Sequence, residues 1–356
     1  MNRPHAYLAR LTLFGDPAIA TPSPIPAEWS PHRAMWVGWP SHADLWETDL
    51  EAAQAEVEAL VRALAGPGRE RVKLFVGHPD ALADARARFA DMDGSDALDG
   101  LDGVSVVPGL FGDIWLRDTG PIFFEKSVGA AGFRFNGWGG KYDLEHDDTV
   151  AEQIGQEADA PVTRHDFVLE GGALDHDGQG AILTTRQCLL NPNRNAGWTE
   201  AAAEAALAQA LGARRVVWLG DGLLNDHTDG HVDNLARFVA PGVVACPVAS
   251  GADDPNAEVY DACARDLAAA GFRVIRIPSP GRIEDEDGEP IPASHMNFLI
   301  ANGAVVVPTY GNEEAGRLAC AALAEAFPDR EIIPLPSTAI LTGGGSFHCI
   351  SQQEPA

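Results

Sequence analysis

Helical segments recur along this chain at a spacing that restricts its architecture to a repeat. Six stretches combine good helix formers with apolar residues on one helix face, and several end at glycine or proline. They are residues 49–66, 79–92, 147–157, 198–212, 257–271 and 312–328. The helices recur about every 50 to 60 residues, and most are followed directly by a strand-like run. The sequence therefore predicts an α/β chain built from a repeated strand-hairpin, helix, strand module.

Two turn dipeptides support this module. Asn302-Gly303 lies between the apolar runs of "NFLIANGAVVVPTY", and Asp177-Gly178 lies within "ALDHDGQGAILTT". Such dipeptides between apolar runs are typical of β-hairpins. The stretches 16–26 and 278–292, rich in proline and glycine, are predicted to be loops because globular sequence surrounds them without a break in composition. We therefore expect one domain over residues 1–356, with 1–24 as an N-terminal extension.

The last residues indicate how the modules are arranged. Terminal residues are usually polar and frayed, but in "TAILTGGGSFHCISQQ" apolar residues flank three glycines on both sides. The chain is therefore expected to re-enter the body of the protein near Cys349. This re-entry favours modules closed into a ring over an open solenoid.

Charge and cysteine content exclude several classes of function. Lys and Arg total 25 against 52 Asp and Glu, which gives a formal net charge of −27. A phosphate backbone would be repelled and a cationic ligand attracted, so nucleic acid is not expected as a partner. No run approaches the roughly 18 apolar residues of a membrane span. The five cysteines are odd in number, widely spaced and without a C-x-x-C pair, which indicates neither a disulfide framework nor a zinc ribbon. A cytoplasmic location is expected.

Polar and glycine residues interrupt apolar runs at several places without an obvious turn to make. These breaks supply five residues able to do chemistry, each group from a different module: Asp118, Glu170, His231, Asp233 and Cys349. Each has a structural explanation when taken alone, such as an ion pair, a turn cap or a buried thiol. Their joint occurrence in glycine-marked breaks favours a site assembled at strand ends around a central axis.

His231 and Asp233 are two residues apart. If they open the strand that leads into residues 235–241, both side chains point to the same face. A carboxylate in that position can orient the imidazole ring and stabilise its protonated form.

Eight motifs in register resemble the agmatine deiminases, the bacterial-type branch of the peptidylarginine deiminase group. They run in order from about residue 25 to 355: "IPAEWSPHRAMWVGWP", "WLRDTGP", "FNGWGGKYD", "LEGG", "CLLNPNRN", "DGHVDN", "NFLIANGAVVVP" and "GGGSFHCISQQEP". The resemblance implies a pentein fold, an α/β-propeller of five ββαβ-like modules around a pseudo-fivefold axis. With six helical stretches and five modules, one helix is expected to be an insertion.

The resemblance also implies roles for individual residues. Cys349 matches the family's nucleophile and His231 its general acid and base, whereas Asp118 and Asp233 match the carboxylates that hold a guanidinium group. Glu170 and Trp115 match residues that line the same pocket. The reaction implied is hydrolysis of agmatine to N-carbamoylputrescine and ammonia, with no metal or organic cofactor and a homodimer as the usual assembly.

Alternative functions are also open. The substrate could be another guanidino compound, such as arginine or peptidyl arginine, because His227 and His295-Met296 depart from the pattern associated with agmatine. A metal-dependent hydrolase could use His227 and His231, although Gly230 interrupts any helix that would align them. A third alternative is a non-catalytic binder of cations, but a binder has no need of Cys349.

Overall fold

The computed structural model describes residues 25–92, 103–125 and 129–356. The predicted N-terminal extension, residues 1–24, lies outside the described residues. The strands are β1 His32–Trp39, β2 Arg71–Val76, β3 Gly103–Pro108, β4 Ile122–Phe123, β5 Ala130–Arg134, β6 Val162–Val168, β7 Asp175–His176, β8 Ala181–Thr185, β9 Arg215–Leu219, β10 Arg237–Ala240, β11 Val243–Val248, β12 Arg273–Pro278, β13 Leu299–Ile300, β14 Ala304–Thr309, β15 Glu331–Pro336 and β16 Ser351–Pro355.

The α-helices range from single turns to 16 residues. They are α1 Ala43–Trp46, α2 Leu50–Ala65, α3 Pro79–Arg88, α4 Leu116–Thr119, α5 Gly137–Gly140, α6 Val150–Glu157, α7 Arg186–Leu189, α8 Glu200–Leu211, α9 Ala257–Ala269, α10 Glu313–Ala326 and α11 Thr338–Thr342. All six predicted helices are present, as α2, α3, α6, α8, α9 and α10. No helix in the described ranges is long and apolar enough to cross a membrane.

Four sheets of the described residues have the same ββαβ topology. In each, an antiparallel hairpin is followed by a helix and by a strand parallel to the second strand of the hairpin. The four modules are β4-β5-α6-β6, β7-β8-α8-β9, β10-β11-α9-β12 and β13-β14-α10-β15. Both predicted hairpins are confirmed, since they form β7-β8 and β13-β14.

The fifth module joins the two ends of the described chain. Its first strand is β16, which pairs antiparallel with β1, with Val37 opposite Ser351 and Met35 opposite Gln353. Strand β1 then runs parallel to β2 through the crossover helix α2. Helix α3 and strand β3 extend this sheet by one strand, so α3 is the helix added to the repeat. The predicted re-entry of the C-terminus is confirmed, and it closes the arrangement.

Local sequence explains where the crossover helices begin and end. The hydroxyl of Thr199 accepts a hydrogen bond from the backbone N–H of Ala202 at the start of α8, and Gly212 ends that helix in the left-handed conformation with φ 68°. Asn312 caps α10 by accepting from the backbone N–H of Ala315. The apolar face of each crossover helix packs on its own sheet, where residues such as Leu207 and Leu323 are fully buried.

Five short turns precede the first strands of the five modules. They are α4 before β4, three 3₁₀ turns at Gly171–Ala173, Val232–Asn234 and His295–Asn297, and a turn at residues 347–350 before β16. Neighbouring turns in this series contact one another. The last turn joins both ends of the series, because Arg117 N donates to Cys349 O at 3.0 Å and His348 N donates to Asn297 O at 3.3 Å. We call this set of five turns the inner ring.

One local prediction is wrong. His231 and Asp233 do not open a strand, because Val232–Asn234 is a 3₁₀ turn and β10 begins at Arg237. The segment lies next to an apolar run, where composition alone does not distinguish a strand from a single helical turn.

The pairing of β16 with β1 generates a stability prediction. Glu354 of β16 is buried and accepts a hydrogen bond from Trp36 Nε1 at 3.0 Å, and it also pairs with Arg33 and Lys73. Replacing Glu354 with Ala should lower the free energy of unfolding by about 2–3 kcal/mol, because the buried indole N–H of Trp36 is left without its acceptor and Arg33 and Lys73 lose their partner. Urea titration followed by circular dichroism measures the change.

Glu314→Ala is the matched control, since Glu314 forms an exposed pair with Arg317 on α10. This control should change the free energy of unfolding by less than about 1 kcal/mol. Equal effects of the two substitutions would contradict the role given to the β16–β1 pairing.

Candidate active site

A cavity of about 310 Å³ lies next to the inner ring and has Cys349 in its wall. Its lining comes from several connections between strands: residues 45–49, Asp113, Trp115, Asp118, Trp138, Tyr142, Leu144, His227, Thr228, residues 342–345 and Cys349. Of the residues predicted for the site, Cys349, Asp118 and Trp115 lie on this wall. The cavity is large enough for a small molecule.

The three glycines before Cys349 allow the chain to pass close to Trp115. A Cβ atom on Gly345 would lie 2.5 Å from the ring of Trp115 and 3.0 Å from Cβ of Cys349, and one on Gly343 would lie 2.8 Å from the same ring. Gly344 has a φ of 102°, a conformation that residues with side chains rarely adopt. The glycines are therefore required for Cys349 to reach the cavity under the indole ring.

Asn297 holds the cysteine in place. Its Oδ1 accepts from the backbone N–H groups of His348 at 3.0 Å and Cys349 at 3.3 Å, and its Nδ2 donates to Sγ of Cys349 at 3.2 Å. The same Sγ lies 3.6 Å from Oδ2 of Asp233. One amide thus fixes both the backbone and the sulfur of Cys349 next to a carboxylate.

Asp118 is buried and held by two neutral donors. Its Oδ2 accepts from Trp138 Nε1 at 2.8 Å, and its Oδ1 accepts from the backbone N–H of Gly172 at 2.9 Å. Burial raises the pKa of Asp118 above its ordinary value, and Asp233 adds to the rise. A ligand cation would reverse this effect by favouring the ionised carboxylate.

The side chains of His231, Asp118 and Asp233 lie close together around Gly172. A Cβ atom on Gly172 would lie 2.6 Å from Nδ1 of His231, 2.7 Å from Oδ1 of Asp118 and 3.3 Å from Oδ2 of Asp233. The three side chains therefore converge, and only glycine fits among them. Burial disfavours the charged ring, but Asp118, Cys188 and Glu170 outweigh it and raise the pKa of His231 well above its ordinary value. Neither ring nitrogen has a hydrogen-bond partner among the described residues, so the proton is available for transfer.

Asp233 differs from Asp118 in its partners. Its Oδ2 lies 2.8 Å from Nδ1 of His348. Burial is the largest single effect and acts to raise the pKa of Asp233, but the interaction with His348 and the charges of His231 and Arg237 together outweigh it and lower the pKa. Oδ1 of Asp233 is buried and has no partner among the described residues, so it can accept a hydrogen bond from a ligand.

The same surroundings keep the thiol of Cys349 protonated in the empty cavity. Burial raises its pKa well above the ordinary value, and the charges of Asp233 and Asp118 raise it further. A cation bound beside these carboxylates would lower it again. The arrangement thus favours a nucleophile that forms only when a cation is bound.

Glu170 is bonded to Arg194. It is buried, its Oε1 accepts from Arg194 Nε at 2.6 Å, and, like His231 and Asp233, it is not among the described residues that line the cavity. Glu170, Cys188 and His231 instead form a cluster whose polar atoms lie within 4.8 Å of one another. Although these residue types suit zinc, Arg194 already supplies the positive charge beside Glu170, and we assign no metal to the cluster.

His227 lies apart from His231. Its Nδ1 is 3.0 Å from the hydroxyl of Tyr142 in the cavity wall, and it belongs to no cluster of three candidate ligands among the described residues. The two histidines considered for a metal-dependent hydrolase are therefore not brought together around one position.

Four residues of the site were missed in the sequence. Trp138 was given no chemical role, and Asn297, His348 and Asp113 were not singled out. Asp113 accepts from the indole N–H of Trp115 at 2.6 Å and from that of Trp46 at 3.0 Å, and its pKa is raised to about 6 by burial. Trp138, Asn297 and His348 lie within motifs quoted above, and Asp113 lies two residues before "WLRDTGP", but none of the four stands out without its partner.

Comparison with known proteins agrees with this arrangement. The sequence pattern of the Porphyromonas-type peptidyl-arginine deiminase family matches residues 24–355. Agmatine deiminases of Stutzerimonas stutzeri and Pseudomonas aeruginosa are each 36% identical to the chain, covering 93% of it and 95% of their own length. The solved structure of the agmatine deiminase of Enterococcus faecalis, described as catalysing its reaction, superimposes with a TM-score of 0.82 at 30% identity over 93% of this chain and 95% of that one. The pentein fold expected from the motifs is confirmed.

The charges around Cys349 generate a prediction about thiol reactivity. Because Asp233 raises the pKa of Cys349, Asp233→Asn should lower that pKa and shift the midpoint of alkylation by iodoacetamide to lower pH. The rate of alkylation is measured by mass spectrometry on the peptide that contains Cys349, from about pH 6 to about pH 10, a range that brackets the ordinary thiol pKa of about 8.5.

Asp44→Asn, at an exposed position of α1, is the control and should leave the midpoint where it is in the wild type. A midpoint that stays unchanged or rises in Asp233→Asn would contradict the electrostatic description of the site.

Proposed function

The chain belongs to the Porphyromonas-type peptidyl-arginine deiminase family, and from this membership and the geometry of the cavity we propose that it is an agmatine deiminase. It hydrolyses agmatine to N-carbamoylputrescine and ammonia. The observation that carries the proposal is the position of Cys349 Sγ, 3.6 Å from Asp233 in the wall of an acidic cavity. A thiol placed against a carboxylate is unreactive until a cation arrives, and the reacting group of agmatine is a cation.

Asp118 and Asp233 bind the guanidinium group of the substrate. A guanidinium presents N–H groups in a planar fork, which carboxylates accept in pairs. Support comes from the unpartnered Oδ1 of Asp233 and from the convergence of both carboxylates at Gly172. Held in this way, the central carbon lies in a fixed plane next to the sulfur of Cys349.

The bound substrate activates its own nucleophile. A unit charge about 4 Å from the sulfur contributes about 4 kcal/mol at an effective dielectric constant near 20, which corresponds to about three pKa units. This offsets the effect of Asp233 and Asp118 on the pKa of Cys349. The thiolate therefore forms next to the guanidinium carbon that it attacks.

His231 supplies and then removes a proton. The thiolate of Cys349 adds to the guanidinium carbon, His231 protonates the departing nitrogen, and ammonia leaves a thiouronium group bonded to the sulfur. The proton of the Cys349 thiol leaves to solvent when the thiolate first forms. His231, now neutral, takes a proton from water as its oxygen attacks the same carbon. The C–S bond then breaks, the urea product leaves, and the hydroxyl proton of the adduct passes to the sulfur and restores the thiol. The raised pKa of His231 supports this sequence, because the ring begins in the protonated form.

Agmatine is preferred over arginine because the cavity offers nothing to an α-carboxylate. Glu47 and Asp49 lie at the cavity wall, and the lining found in the described part of the chain includes no Lys or Arg side chain. Arg117 and Arg194 lie outside this lining, where Arg117 donates to Gln353 at 2.8 Å and Arg194 to Glu170 at 2.6 Å. Agmatine carries an ammonium group in place of the carboxylate and so suits the acidic wall.

Assembly, location and cofactors remain predictions from the sequence. The reaction described needs only thiolate, imidazole and carboxylates, so neither a metal nor an organic cofactor is required. A homodimer and a cytoplasmic location are also proposed, and the five cysteines, all free thiols, are compatible with a reducing compartment.

Replacement of the nucleophile tests the chemistry. Cys349→Ser should lower turnover of agmatine by at least about 10³-fold, because a serine hydroxyl here has no general base to activate it. The control is Cys320→Ser, on the partly exposed side of α10, which should keep wild-type turnover. Ammonia release measures both.

Wild-type enzyme quenched in acid during turnover should also carry the mass of the substrate-derived adduct on the peptide with Cys349. Substantial turnover by Cys349→Ser would overturn covalent catalysis at this residue.

Substrate preference tests the assignment to agmatine. The kcat/KM for agmatine should exceed the kcat/KM for free arginine by at least about 100-fold, because an unpaired carboxylate among acidic groups costs several kcal/mol. An arginine-containing peptide completes the comparison at one ionic strength. If the kcat/KM for arginine or for the peptide equals the kcat/KM for agmatine, the proposed preference for agmatine is wrong, although the deiminase chemistry stands.

A variant that removes the two charges of the cavity wall at Glu47 and Asp49 tests the cause of this preference. In the double variant Glu47→Gln and Asp49→Asn the KM for agmatine should rise by about 3- to 10-fold, since exposed ion pairs each contribute up to about 1 kcal/mol. The kcat/KM for arginine should change less, so the preference for agmatine should shrink.

A further inference from the structure

His348 directly precedes Cys349 and its ring lies between two carboxylates. Nδ1 is 2.8 Å from Oδ2 of Asp233, and Nε2 is 3.2 Å from Oε2 of Glu28. The ring is 2% exposed, and Asp233 and Glu28 are also buried. Glu28 comes from the segment before β1, so this bridge links the two ends of the described chain at the cavity.

Each ring nitrogen of His348 faces a carboxylate oxygen. Burial acts to raise the pKa of Glu28, but Arg237 and His348 hold it well below the ordinary value. The pKa of Asp233 is also lowered, as described above. The ring therefore bridges two carboxylates that are held in the ionised form.

The bridge divides the two oxygens of Asp233 between protein and ligand. Oδ2 faces His348 and also accepts from Asn297 Nδ2 at 3.3 Å. Oδ1 is left without a partner among the described residues. A carboxylate fixed through one oxygen keeps the other at a defined position without the entropic cost of ordering it when the ligand binds.

Asp118 and Asp233 differ in how closely a histidine approaches each carboxylate. Asp118 accepts hydrogen bonds from Trp138 and the backbone of Gly172, and burial raises its pKa although His231 acts to lower it. Asp233 is also buried, but its pKa is lowered. The ring of His348 bonds Asp233 at 2.8 Å, whereas Nδ1 of His231 lies 3.6 Å from Oδ1 of Asp118.

We propose that His348 is a positioning residue for substrate binding: held by Glu28 through Nε2, its ring fixes Oδ2 of Asp233 and so presents Oδ1 to the guanidinium group of the substrate. The proposal rests on the function proposed above. It also gives Glu28, 320 positions earlier in the chain, a role in the site, because Glu28 holds the ring through the nitrogen that does not face Asp233.

Replacement of His348 separates this role from a purely structural one. In His348→Asn the charge-assisted bond to Asp233 is lost, so the KM for agmatine should rise by about 10- to 100-fold. At saturating agmatine, kcat should fall by less than about threefold, because an interaction made equally in the bound substrate and the transition state affects KM alone. Circular dichroism and thermal unfolding show whether the variant is folded.

His176→Asn is the matched control. His176 lies beside the same small internal cavity as His348, and its Nδ1 has no hydrogen-bond partner among the described residues. The KM should stay within about twofold of the wild-type value, since no interaction with Asp233 is removed. A rise in KM of the same size in both variants would overturn the proposal.

Glu28→Gln provides a second variant should His348→Asn not fold. The glutamine keeps an acceptor for Nε2 but removes the negative charge of the carboxylate, which weakens the contact that holds the ring, so a smaller rise in KM of about 3- to 10-fold is expected. An unchanged KM in Glu28→Gln, or a fall in kcat alone in either variant, would contradict the proposal.

Binding of methylguanidinium distinguishes failure of this proposal from failure of the proposed function. Calorimetry with the wild-type protein and His348→Asn should give a dissociation constant at least about 10-fold weaker in the variant, whether or not agmatine is turned over. If the wild type does not hydrolyse agmatine but this difference is present, the substrate assignment fails and the role of His348 stands. Equal dissociation constants would remove the role of His348 while leaving the deiminase activity intact.

Discussion

The antiparallel pairing of β16 with β1 is the constraint on which the site depends. It makes the last residues of the chain part of the first module and so ties the turn at residues 347–350 into the inner ring. Cys349 is then held by its backbone on two sides, through its own carbonyl to Arg117 N and through its N–H to Asn297. The position of the sulfur is therefore determined by sheet closure first and by its side-chain contacts second. In an open repeat of the same modules, Cys349 would have no fixed relation to Asp118 or Asp233.

Closure in turn places charged groups where water cannot reach them. Arg237 is fully buried and pairs with Glu28 and with Asp175, and Glu28 continues through His348 to Asp233. Removing these charges from water costs several kcal/mol per ion, which only close pairing offsets. An apolar core at this position would be as stable or more so, but it could not keep a carboxylate ionised beneath a thiol. The network is therefore explained by the site it supports rather than by the stability of the fold.

The sequence predicts the features that depend on neighbouring residues. The helices and the two hairpins follow from apolar spacing, caps and turn dipeptides, and these signals lie within about 15 residues of one another. Cys349, Asp118 and His231 could be found because glycines mark the places where the chain passes close to other groups. The geometry of His231 and Asp233 could not be predicted, since a 3₁₀ turn and the start of a strand have the same composition here. Asn297 and His348 act through partners more than 50 residues away, and no local pattern encodes such a partnership. Glu170 matches a pocket residue by resemblance, and its bond to Arg194 and its place in a cluster with Cys188 and His231 could not be predicted from the sequence.

The protonation states of the empty site connect specificity with reactivity. The carboxylates that attract a guanidinium are the ones that hold Cys349 as a thiol, and Asp118 also raises the pKa of His231. In the absence of a cation the site therefore contains a protonated nucleophile and a protonated acid, a pair that cannot attack. A guanidinium bound to Asp118 and Asp233 cancels the charge that suppresses the thiolate and leaves the imidazolium ready to protonate the leaving nitrogen. A neutral molecule of the same shape would fill the cavity without changing either pKa, because it brings no charge to the carboxylates. Selection for a cationic substrate is thus made twice by the same two side chains, once in binding and once in forming the nucleophile.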